Sequence, residues 1–76
     1  MFSKQPVRVD GIYCIRETPH SYEVSLVKFS NVIDAKILKT LVSDSDLKPD
    51  IVGFVVIPLW LAESLGLAYE KLSGEP

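Results

Sequence analysis

Apolar and polar residues alternate along much of this chain with the two-residue period of strands, and helical spacing is clearest in the last third. "VRVDGIYCIRE" supplies Val7, Val9, Ile12, Tyr13 and Ile15 to a first strand. Asp10-Gly11 interrupts its alternation. The stub before it is very short for a hairpin arm, so the pair reads as a β-bulge or strand entry. "TPHS" is turn chemistry. It joins the first strand to "SYEVSLVKF" in an antiparallel hairpin. Tyr22, Val24 and Leu26 share one face of that second strand, opposite Glu23 and Ser25. Val27 and Phe29 make its far end apolar on both faces.

"AKILKTLV" supports two readings. As a strand, Ala35 and Ile37 alternate with Lys36. As a helix, Ile33, Ile37 and Leu41 share a stripe. A strand to about Leu38 followed by a short helical turn is preferred. "SDSDLKPD" reads as a loop, with Ser43 or Asp44 as a candidate cap for a brief turn. "IVGFVVI", bounded by Asp50 and Pro58, is the strongest strand. Gly53 within it marks a bulge or the close approach of another backbone. Pro58 suits a helix start. "PLWLAESLGLAYEKL" then sets Leu61, Leu65, Ala68 and Leu72 on one helical face. Gly66 weakens that helix by about 1 kcal/mol and is where it would end early.

These elements predict an α+β, mainly β fold: a small, bent antiparallel sheet of four strands, or a partly closed barrel, with one C-terminal helix. Residues 1–76 form a single domain, with mobile ends at 1–6 and 73–76. The helix is expected to pack Leu61, Leu65 and Leu72 onto Val24, Leu26, Phe54 and Val56.

The apolar run from Ile51 to Ala62 is shorter than the roughly 20 residues of a membrane span, and Pro58 breaks it. A buried strand leading into a helix explains it, with no membrane partner. The N-terminus lacks the apolar core of a signal peptide. With a single cysteine, this suits a cytoplasmic setting.

A chain of 76 residues buries only about 60% of its unfolded surface, which leaves a thin core and little room for a catalytic pocket. Its apolar fraction of 47% fits a folded chain and suggests a homodimer as a way to gain burial. A net charge of −2, without a basic run, gives no nucleic-acid footprint.

Candidate chemistry is sparse. His20 stands alone in a turn, and Cys14 reads as a buried, inert thiol. Asp44, Asp46 and Asp50 crowd one loop. Counted from Asp44, the places where a calcium loop needs glycine and glutamate hold Pro49 and Val55. No phosphate-binding glycine pattern occurs. The chain is therefore read as a non-enzyme with no cofactor and no metal.

Trp60, with Tyr69 and Tyr22, is the candidate anchor set for a protein partner, Trp being a common one. The alternative is weak single-stranded nucleic-acid binding. It would use a sheet face carrying Arg16, Lys28, Lys36 and Lys39 with Tyr13, Tyr22 and Phe29.

Arg16-Glu17-Thr18, the Asp44–Asp50 loop, Ile57-Pro58, Trp60-Leu61-Ala62 and Gly66-Leu67 together resemble a loose group of short β-rich proteins encoded in phages and prophages. The likeness spans about Gly11 to Leu67. The chain departs from the group at "DAKILKTLV", where a tryptophan-proline strand end is the pattern, and adds "AYEKL" after Leu67. The group has no established activity. The resemblance implies an accessory protein of mobile DNA and carries over no catalytic residue. With the small size and absent catalytic sets, the function expected is a protein-interaction module of phage type, an inhibitor of a host defence system being one such task.

Overall fold

The computed structural model describes residues 4–72. Its organising element is β1 (Pro6–Glu17), a 12-residue strand. At about 3.3 Å per residue such a strand approaches the 38 Å long axis of the molecule. β1 pairs antiparallel with β2 (Ser21–Ser25) through the expected hairpin and with β5 (Val52–Pro58) on its other side.

The bulge expected at Asp10-Gly11 is present. Val9 opposes Val55 and Ile12 opposes Gly53, so one extra residue sits on β1, where Gly11 takes φ +74°. Its consequence is a change of parity. Odd residues Val7 and Val9 point into the core before it, and even residues Ile12 and Cys14 after it.

β2 pairs with β3 (Ala35–Leu38), and a 3-10 turn over Lys39–Leu41 follows, so the strand reading of this segment holds. The sheet runs β3-β2-β1-β5-β4 and does not close into a barrel. Among the described residues it has six strands, not four. The two extra ones, β4 (Asp44–Ser45) and β6 (Glu70–Lys71), are too short to carry a periodic signal. β4 lies within the segment read as loop, and neither Ser43 nor Asp44 caps a helix; Asp44 Oδ1 accepts the Ser45 N–H at 2.9 Å. β6 pairs with Val7 and Arg8, in line with β2 along the same side of β1.

Two expectations were too long. β2 ends at Ser25, because Asp34 captures the Leu26 N–H, and Leu26 is left exposed. The helix, α1, spans only Leu59–Ser64. Gly66 at φ +71° ends it, with Gly66 N–H donating to Glu63 O and Leu67 N–H to Ala62 O. Ala68 and Leu72 are consequently exposed. Among the described residues no helix is long and apolar enough to cross a membrane. The expected mobile end at 73–76 lies outside the described residues, as do residues 1–3 of the N-terminal arm.

The core gathers Val7, Val9, Ile12, Cys14, Val24, Ile37, Leu47, Val55, Ile57, Ala62 and Leu67, with Leu61 and Leu65 packed against it. Phe54 and Val56 were expected under the helix. They point to the opposite face, because Val55 and Ile57 pair with Val9 and Val7. Phe54 packs there beneath Arg8, whose guanidinium lies 4.0 Å from the ring centroid.

Gly53 is where another chain segment comes close, as its position in the strand suggested. The Asp46 carboxylate occupies the space a Cβ would need, and the Asp46 carbonyl lies 3.2 Å from it. Asp46 Oδ1 accepts the Phe54 N–H at 2.5 Å.

Candidate interaction surface

The β2–β3 connection is a bound loop with an apolar exterior. Its neck is made by residues that favour turns over ladders. Asp34 Oδ2 accepts the Ser25 hydroxyl at 3.1 Å and the Leu26 N–H at 2.8 Å, while Asp34 N–H donates to Val24 O at 2.8 Å. The Ser25 hydroxyl oxygen accepts the Val27 N–H at 3.0 Å. Beyond the neck, Ser30 N–H donates to Val27 O and Val32 N–H to Ser30 Oγ.

The tip holds an unusual residue for its backbone. Phe29 takes φ +59°, a region where glycine and asparagine are usual. It nevertheless leaves its side chain 74% exposed. Its ring centroid stands 5.3 Å from that of Tyr13 on the outer face of β1. Tyr13 is buried, and its hydroxyl donates to Asp50 Oδ1 at 2.8 Å. That bond to a carboxylate, with desolvation behind it, pushes the Tyr13 phenol above its ordinary value.

Leu26, Val27, Val32 and Ile33 join Phe29 at the surface. Six of the nine exposed large apolar side chains among the described residues lie between Leu26 and Leu38. Sequence reasoning missed this surface because it assigned Val27 and Phe29 to a covered strand end. The turn read at "SNVID" fits a strand that ends at Phe29 equally well, and the break after Ser25 comes from Asp34 taking the Leu26 N–H.

The residues singled out from sequence do not form one site. Trp60 is half-buried on α1. Tyr22 is half-buried, with Lys39 Nζ 5.1 Å from its ring centroid and its hydroxyl 3.5 Å from Ser45 Oγ. Tyr69 is exposed and lines a shallow cleft of about 230 Å³ with Arg8, Asp10, Ala68 and Glu70. Tyr22 pairs with Glu17 and Glu70 pairs with Arg8, so the two tyrosines lie near opposite ends of β1, about 25 Å apart at strand rise.

Among the basic candidates, Arg16 pairs with Glu23 at 2.6 Å and Lys39 with Glu17 at 2.5 Å. Lys28, on the loop, and Lys36, on β3, are exposed and make no ion pair among the described residues.

Cys14 is fully buried, and burial, with the Glu17 charge adding to it, raises its thiol above the ordinary value. Among the described residues no cluster of His, Cys, Asp and Glu is arranged to hold a metal ion. No family model, curated protein or solved structure matches the chain significantly.

Proposed function

We propose that this chain is a non-enzymatic protein-interaction module and that its contact surface is the Leu26–Ile33 loop. The observation that carries the reading is Phe29. A large aromatic ring is presented to solvent from a left-handed backbone position, seated on Tyr13, at the centre of a loop tied by Asp34. Apolar side chains on a pre-ordered loop lose little conformational entropy on binding and form the anchor type common at interface centres. Lys28 beside Phe29 gives the surface a cationic mark, which favours a partner whose apolar pocket carries a carboxylate at its rim. The phage-type resemblance supports a setting in mobile DNA, with inhibition of a host defence system as the task it suggests.

The test uses Phe29→Asn, since asparagine tolerates the left-handed region and removes only the ring. Capture of a defined protein by the wild-type chain, lost with this variant while the fold persists, supports the reading. Salt-sensitive retention of single-stranded oligonucleotide, abolished by Lys28→Glu or Lys36→Glu, would support the nucleic-acid alternative instead.

A further inference from the structure

The two edges of the sheet are treated differently. The outer edge of β5 is covered by the chain itself. Ser43 N–H donates to Val56 O, Asp46 N–H to Phe54 O, and the Asp46 carboxylate takes the Phe54 N–H. Among the described residues β3 pairs with β2 alone. The two edges therefore differ in backbone coverage, and both carry charged side chains, Asp44 and Asp46 on one and Lys36 on the other.

The backbone groups free at the β3 edge follow from its register. Ala35 opposes Val24 and Ile37 opposes Tyr22, and Lys39 N–H donates to His20 O in the same frame. Residues 35, 37 and 39 therefore turn their backbone groups toward β2, and Lys36 and Leu38 turn theirs outward. The Leu38 side chain is 48% exposed. An outward-facing backbone edge beside an exposed leucine is a template for another strand.

We infer that β3 is a self-association edge, filled by β3 of a second copy running antiparallel about Ile37. In that register Lys36 lies opposite Leu38 of the second copy, and each such pair exchanges both backbone hydrogen bonds. The lysine stem covers the leucine while its ammonium reaches water. Ile37 meets its own symmetry mate, which continues the buried layer across the joint. A two-fold axis through Lys36 would instead set lysine against lysine, and one through Leu38 would set Lys39 against Ile37 on the buried face, where no water receives the ammonium, so both are poorer pairings. Self-pairing about Ile37 repeats the lysine-over-leucine contact on both sides of the axis, so the second copy's own sequence covers both exposed leucines.

This inference does not rest on the partner proposed for the Phe29 loop. Its test is molar mass by light scattering or sedimentation from about 10 to 300 µM, the range suited to a small interface. The wild-type mass is expected to rise from 8.5 kDa toward about twice that. Leu38→Lys places lysine opposite lysine and is expected to stay monomeric throughout. Leu38→Asp places a carboxylate opposite Lys36 and is expected to keep the dimer. The double exchange Lys36→Asp with Leu38→Lys is expected to restore a dimer that Leu38→Lys alone loses, which separates a broken interface from a broken fold. A wild-type mass fixed at 8.5 kDa overturns the inference. So does an unchanged dimer in Leu38→Lys, or loss of the dimer in Leu38→Asp.

Discussion

The Phe29 ring rests 5.3 Å from the Tyr13 ring, and Phe29 reaches it from a left-handed backbone position. Tyr13 is in turn held by Asp50. The exposed ring is thus supported by a buried one, and the buried one by a carboxylate across the β1–β5 junction. Phe29→Asn removes the upper ring and relieves the backbone. Its two effects oppose, so stability is expected to stay within about 1 kcal/mol of wild type by chemical denaturation.

Asp34 closes the loop at its base by accepting from Ser25 and Leu26 together. Asp34→Ala is expected to cost about 1–2 kcal/mol, the usual range for charge-assisted bonds of this kind. Hydrogen exchange should show the loss locally, with faster exchange at Leu26 and little change at Val7 or Ile57.

Gly53 and Asp46 occupy one another's space. Gly53→Ala forces the carboxylate aside and deprives the Phe54 N–H of its acceptor. A cost of about 1–3 kcal/mol is expected. In an Asp46→Ala background the same change should cost clearly less, and a double-mutant cycle measures that coupling.

Tyr13 links stability to alkaline pH. Its folded value lies above the ordinary 10.0, so the native state holds the phenolic proton more tightly than the unfolded chain does. The stabilisation is complete below pH 10.0 and is lost as pH rises through the folded value. Unfolding curves across that window should show the decline in wild type and a shallower one in Tyr13→Phe. Tyrosinate absorbance should show one late-titrating group that the variant lacks.

Cys14 is buried in the core with its thiol raised by desolvation. A thiol reagent is expected to modify it only on unfolding, at a rate that follows denaturant concentration.

The sequence displayed the long-range frame where local chemistry and periodicity agreed. Asp10-Gly11 was legible as a bulge, "TPHS" as a hairpin turn, Gly53 as a close approach and Gly66 as a helix stop. The failures have one cause. β5 is apolar on both faces, so its pattern did not say whether Phe54 or Val55 faces the core. That choice was made by register with β1. Val27 and Phe29 look like strand residues, but Asp34, nine residues beyond Ser25 at the other side of the loop neck, takes the backbone out of the ladder. β4 and β6 exist only because β5 and β1 offer them an edge. Trp60, Tyr69 and Tyr22 were legible as individual aromatics. The separation of Tyr22 from Tyr69 along β1 was set by tertiary pairing.

The most direct test of the interaction reading is a side-by-side capture experiment. Wild type, Phe29→Asn and Leu38→Lys are immobilised and exposed to nuclease-treated bacterial lysate, and retained proteins are identified and re-bound in purified form. The account predicts a stoichiometric protein partner held by wild type and by Leu38→Lys and lost by Phe29→Asn. A purified partner that binds Phe29→Asn as tightly as wild type would contradict it.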